Sequence, residues 1–209
     1  MLFYFLFAWN VKTHRFSFQK VSNELSGPIP SEIARLSALS LFMLGENELT
    51  GTIPQNRSLP NLFILVLQQT QLRGTIPTEI GLSSLLWRAY LGENNLNGPI
   101  PSELGLIGDL QYLWLNGACV TGTIPTELAN SKGLQSFKFD GSSLSGTFPQ
   151  EFANHANLFE LQLNETMLTG EIPDSLCDIP ALEFDCPSIC GCIFCPCVEE
   201  APWNTSRYW

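Results

Sequence analysis

One tetrapeptide, G-x-I-P with Phe once in place of Ile, recurs at Gly27, Gly51, Gly74, Gly98, Gly122, Gly146 and Gly170, spaced 24, 23, 24, 24, 24 and 24 residues. Seven occurrences in one register restrict the chain to a solenoid, in which each short unit buries its apolar face only against its neighbours. Aligning on the glycine exposes the unit L-x-x-L-x-x-L-x-L-x-x-N-x-L-x-G-x-I-P, read along Leu36, Leu39, Phe42, Leu44, Asn47, Leu49, Gly51, Ile53 and Pro54. The pairs Phe42/Leu44, Leu65/Leu67, Ala89/Leu91, Leu113/Leu115, Phe137/Phe139 and Leu161/Leu163 are two apart, the period of a strand whose alternate side chains face a core. One short strand per unit is therefore expected, stacked into a parallel sheet. After I-P the chain reads Ser31-Glu32, Thr78-Glu79, Ser102-Glu103, Thr126-Glu127 and Gln150-Glu151, mostly a capping hydroxyl and then a carboxylate at the start of a short helical turn. The unit of Gly51 breaks this pattern: it is followed by Gln55-Asn56-Arg57 and runs one residue short.

The unit resembles the leucine-rich repeat in its plant-type form. The resemblance implies an α/β solenoid, a right-handed superhelix of about seven 24-residue coils with a parallel sheet on its concave face. It also implies that the Asn column bridges backbone groups of adjacent turns. That column is degenerate, holding Asn23, Asn47 and Asn94 but Thr70, Ala118, Ser142 and Thr166 elsewhere, so the coil of Ala118 is expected to be the weakest rung. Trp9-Asn10-Val11 with Phe16, Phe18 and Val21 is similar to the Trp-bearing N-terminal cap of such repeats, without that cap's cysteines. Three segments follow: an apolar or incomplete cap or signal over 1–15, the solenoid over 16–185, and a Cys-rich cap and tail over 186–209. Similar C-terminal cysteine clusters occur in algal relatives.

Six cysteines, Cys177, Cys186, Cys190, Cys192, Cys195 and Cys197, crowd the C-terminal end, while Cys119 stands alone. A dense even group reads as a disulfide framework made in an oxidising compartment, with the pairing left open. A structural zinc on Cys190, Cys192, Cys195 and Cys197 is the alternative, which the one-residue gaps fit poorly. N-x-S/T sequons at Asn56, Asn164 and Asn204 agree with a secreted or cell-surface setting. The apolar run Leu2 to Ala8 is too short to span a bilayer, and no other stretch has the length of a transmembrane helix. A net charge of −10, from 20 acidic and 10 basic residues, removes the phosphate attraction on which nucleic-acid binding depends.

The residues alternating with the core pairs face outward from the sheet. Coil by coil they change from apolar (Leu41, Met43, Ile64, Val66), through aromatic with one cation (Arg88, Tyr90, Tyr112, Trp114), to polar and charged (Ser136, Lys138, Asp140, Glu160, Gln162, Asn164). Trp, Tyr, Met and Arg grouped on one face have the composition of a binding hot spot. Met43, Val66, Arg88, Tyr90, Tyr112, Trp114, Lys138 and Gln162 are therefore the expected ligand contacts, for a protein, peptide or oligosaccharide. Packing of these side chains against one another without any ligand is the competing expectation. No catalytic triad, suitably spaced carboxylate pair, HExxH or EF-hand pattern or glycine-rich phosphate loop is present in the sequence, and His14 and His155 are far apart. The resemblance implies non-enzymatic recognition, as in receptor-like ectodomains. Inhibition of a secreted cell-wall-degrading enzyme, or a matrix or adhesion role with self-association, are the alternatives.

Overall fold

The computed structural model describes residues 8–10, 15–55, 59–179 and 182–185. His14, the sequons at Asn56 and Asn204, and the cysteines from Cys186 onward lie outside the described residues.

Within them, nine strands form one sheet in sequence order: Ala8–Asn10, Arg15–Gln19, Leu39–Met43, Ile64–Val66, Arg88–Tyr90, Tyr112–Trp114, Ser136–Lys138, Glu160–Gln162 and Glu183–Asp185. Every pairing is parallel except the first, where Ala8–Asn10 runs antiparallel to Arg15–Gln19 and so joins the N-terminal segment to the solenoid. The register shifts once, between Phe16 and Ser17 against Leu39–Met43, and is constant from there to Glu160–Gln162. Leu41, Ile64, Arg88, Tyr112, Ser136 and Glu160 form one row, and Met43, Val66, Tyr90, Trp114, Lys138 and Gln162 another. Between these rows the alternate side chains turn inward. Leu67, Leu91, Leu113, Leu115, Phe137, Phe139, Leu161 and Leu163 have essentially no exposed surface.

A second system of strands lies along the L-x-G-x segments, which the repeat pattern did not announce. Arg73–Thr75, Asn95–Pro99, Cys119–Gly122, Ser143–Thr147 and Met167–Thr169 form a five-stranded parallel sheet, and Ser26–Pro28 pairs with Glu48–Thr50. Backbone bonds carry it, such as the Gln71 N–H to the Leu49 carbonyl and the Asn95 N–H to the Leu72 carbonyl, both 2.8 Å. The recurrent glycine belongs to this sheet. Gly98 sits at φ +75°, and a Cβ there would stand 3.0 Å from the Thr75 methyl of the preceding coil.

The turns after I-P are 3-10 helices, Ser31–Arg35, Thr78–Leu82, Ser102–Leu106, Thr126–Asn130 and Gln150–Asn154, with a short α-helix at Asp174–Cys177. The expected hydroxyl caps are absent. Pro30, Pro77, Pro101, Pro125 and Pro149 hold the N-cap positions without a side-chain cap, and the Ser or Thr, or Gln150 in the last, is the first residue of the turn instead. The proline carbonyl supplies the first bond, as in Ile80 N–H to Pro77 O at 3.2 Å and Leu128 N–H to Pro125 O at 3.1 Å. Adjacent turns approach closely at Gly105, where a Cβ would lie 2.1 Å from the Glu127 carbonyl oxygen.

The Asn ladder forms where Asn is present inside the solenoid. The Asn94 amide donates to the carbonyls of Leu67, Leu91 and Gly92 at 2.8, 3.0 and 3.1 Å, and its Oδ1 accepts the Leu72 N–H at 3.1 Å. Asn47 repeats this with Lys20, Leu44, Gly45 and Leu25. Asn23 is exposed and, among the described residues, bonds only to the nearby Val21 carbonyl. Thr70 directs its hydroxyl at Leu67 O and at Asn94 Oδ1, and Thr166 keeps one bond, to Leu163 O. Ala118 is buried with no polar side chain, and the buried Ser142 hydroxyl has no partner.

Candidate functional site

The strand alternation that buries Leu113 and Leu115 turns Tyr112 and Trp114 outward, and the constant register lays them beside Arg88 and Tyr90. The four are half-buried and interlocked. Tyr90 and Trp114 stack with centroids 4.0 Å apart and planes 18° apart, and Tyr112 meets Tyr90 edge-on at 6.3 Å. The Arg88 guanidinium lies 3.9 Å from the Trp87 ring centre and 4.6 Å from that of Tyr112. Such contacts hold a long cationic side chain without neutralising it. Arg88 makes no salt bridge among the described residues, and its buried Nε–H has no acceptor.

Toward the C-terminal end the polar groups satisfy one another. Lys138 Nζ lies 4.3 Å from the Trp114 ring centre and 2.7 Å from Glu160 Oε1. The Trp114 indole N–H donates to Ser136 Oγ at 2.8 Å, and that hydroxyl donates to Glu160 Oε2 at 2.6 Å. The Tyr112 hydroxyl donates to Gln135 Oε1 at 3.0 Å, and Gln162 Nε2 to Glu160 Oε1 at 3.3 Å. Burial pushes the Tyr90 hydroxyl above the ordinary tyrosine range against the opposing pull of Arg88, with Tyr112 and Glu160 adding to the rise. The phenol is therefore neutral at physiological pH and available as donor or acceptor.

The structure thus brings Arg88, Tyr90, Tyr112, Trp114, Lys138 and Gln162 into one cluster. Met43 is half-buried on the same row, but Val66 is only 7% exposed and forms floor between Met43 and Tyr90 rather than free surface. Asn164 lies near the polar end, partly exposed, and Thr166 of its sequon is bonded to Leu163 O at 2.8 Å. Sequence reasoning missed Trp87, which precedes its strand by one residue and so falls outside the alternating positions. The available signal was the recurrence of aromatics at that position, Phe63, Trp87 and Phe159.

His155 is fully buried, stacked on Phe152 at 4.7 Å, with its two ring nitrogens 3.3 and 3.2 Å from the carbonyls of Phe152 and Ser131. Burial, with Lys132 adding, lowers its pKa despite the pull of those carbonyls. Its surroundings are those of a core side chain. Cys119 is a free, exposed thiol. Among the described residues no group of His, Cys, Asp and Glu is placed to hold a metal, and no helix is long and apolar enough to cross a membrane.

No protein-family model and no curated protein matches the sequence. Solved structures do. The leucine-rich-repeat ectodomain of the plant membrane receptor kinase GASSHO1/SCHENGEN3 from Arabidopsis thaliana, in complex with CASPARIAN STRIP INTEGRITY FACTOR 2, is 37% identical at a TM-score of 0.74, over 79% of this chain and 20% of that chain. The Arabidopsis receptor kinase HAESA, in complex with the peptide hormone IDA and the co-receptor SERK1, is 30% identical at 0.75, over 80% of this chain and 28% of that one. The chain thus spans well under a third of either ectodomain. A chain of the BIR3–SERK2 complex from Arabidopsis thaliana is matched over most of its own length, 73%, at 36% identity and a TM-score of 0.55, covering 65% of this chain. The repeat unit, the paired sheets, the Asn ladder and this extent of identity agree: the chain belongs to the plant-type leucine-rich-repeat family.

Proposed function

We propose that this chain is a non-enzymatic extracellular recognition module that binds a protein or peptide across the concave face of its large sheet, centred on Arg88, Tyr90, Tyr112 and Trp114. The observation that carries the reading is a half-exposed aromatic cluster holding a guanidinium with no carboxylate and an Nε–H with no acceptor. Stacked rings supply area at low entropic cost, and Trp, Tyr and Arg are the residue types in which hot spots are enriched. The peptide in the HAESA complex supports a peptide or protein over an oligosaccharide.

The test displays the full chain, made through a secretory pathway, to arrays of extracellular peptides, proteins and glycans, beside a Tyr90→Ala/Trp114→Ala variant. The reading expects peptide or protein hits that the variant loses. Hits confined to glycans, hits unchanged in the variant, or self-association as the sole interaction overturn it.

A further inference from the structure

The edge of the sheet beside the ring cluster carries a second surface. Phe63 and Trp87 hold the same repeat position, one residue before their strands, and stack with centroids 5.3 Å apart and planes 23° apart. With Leu85, Asp109 and Gln111 they line an open groove of about 360 Å³. Phe63 and Leu85 remain 37% and 41% exposed, so this is apolar area that the fold leaves uncovered. The single ionisable group of the lining is the exposed Asp109 carboxylate, which has neither salt bridge nor hydrogen-bond partner among the described residues. Arg88 is engaged with the rings of Trp87 and Tyr112 and does not line the groove.

We propose that this groove docks a basic segment of a protein partner. It takes one lysine or arginine side chain, with the methylenes against Phe63, Leu85 and Trp87 and the cationic head at Asp109. An apolar floor ending in a lone carboxylate complements a side chain that is aliphatic along its stem and charged at its tip. The chain's net charge of −10 acts in the same direction, favouring encounter with basic partners and opposing acidic ones. The site stands apart from the concave-face reading, sharing only Trp87 with the ring cluster, and its test does not depend on that reading.

The experiment titrates the full-length, isotope-labelled chain with the blocked peptides acetyl-Gly-Leu-X-Leu-Gly-amide, X being Lys, Arg, norleucine or Glu, and follows the Trp87 indole N–H by NMR at low salt. The Lys and Arg peptides are expected to bind about threefold to fivefold more tightly than the norleucine peptide, and the Glu peptide less tightly than norleucine. In Asp109→Asn, an exposed substitution that leaves the core untouched, Lys, Arg and norleucine should become equivalent. In Tyr90→Ala/Trp114→Ala the wild-type preference should persist even where array binding is lost. Equal binding of Lys and norleucine by the wild type, a preference that survives Asp109→Asn, or no movement of the Trp87 signal with any peptide overturns the assignment.

Discussion

Replacing Asn94 by Ala probes how the coils are joined. The amide lies inside the solenoid at 5% exposure and touches four backbone groups on two adjacent turns: the carbonyls of Leu67, Leu91 and Gly92 and the N–H of Leu72. Truncation leaves the Leu72 N–H without its acceptor, a buried orphan donor costing about 1–3 kcal/mol. The bonds to the carbonyls are net contributors of roughly 0.5–1.5 kcal/mol each, and two amide hydrogens serve three acceptors, so they count as about two. The Thr70 hydroxyl also loses Asn94 Oδ1 but retains Leu67 O at 3.2 Å, which limits the damage on that side. The sum is a loss of about 2–6 kcal/mol. Asn94→Thr, which copies the natural residue of the neighbouring coil, should cost about half as much. The reciprocal change, Ala118→Asn, should raise stability by about 1–2 kcal/mol, because Gly117 at φ +61° gives that coil the same left-handed entry that Glu93 at φ 53° gives Asn94. Urea unfolding followed by far-ultraviolet circular dichroism reads all three. A loss below about 1 kcal/mol for Asn94→Ala, or a loss for Ala118→Asn, refutes the argument that side-chain rungs, rather than apolar stacking alone, hold the coils in register.

Four further outcomes are expected. Leu115→Ala removes a fully buried core side chain and should cost about 2–5 kcal/mol in the same assay, whereas a cost under about 0.5 contradicts the observed burial. Trp114→Ala removes a ring stack, a cation contact and one hydrogen bond from a half-buried position, so about 1–2 kcal/mol of stability should go with it, measured by thermal melting. Gly105→Ala should destabilise by more than about 2 kcal/mol, because its Cβ would meet the Glu127 backbone rather than a side chain that can move aside. His155 has a lowered folded pKa, so the unfolded chain binds the proton more tightly. Stability should fall as pH drops below the unfolded value near 6.5, and His155→Gln should flatten that slope in denaturation series from pH 8 to 5.

The fold was legible because seven copies of one unit average away local ambiguity: the alternation at Leu113 and Leu115 fixes which side chains enter the core, and the repeat fixes the register. The second sheet was not legible, because backbone bonds such as Asn95 N–H to Leu72 O make it and no side-chain period records them. The proline caps were misread for a related reason. Ser and Thr follow Pro at a position where hydroxyl caps are common, and only the backbone shows that the Pro carbonyl starts the turn. The ring cluster followed from alternation, but its completeness did not. Trp87 enters from outside the strand, and Val66 sinks because larger side chains flank it in its row, a matter of neighbours' sizes that single positions do not reveal. The polar end was legible as composition only, and its bonding through Ser136 and Glu160 required the structure.

Recognition on the concave face is tested most directly by a saturation scan of the displayed chain against the first captured peptide or protein, sorting binding separately from folded display. The account predicts that binding losses without folding losses concentrate at Met43, Arg88, Tyr90, Tyr112, Trp114, Lys138 and Gln162, with Arg88 and Trp114 strongest. Thr50, Thr75 and Thr121, exposed along the L-x-G-x strands, should tolerate substitution. Losses concentrated on those threonines, or spread evenly over the surface with the ring cluster silent, contradict it.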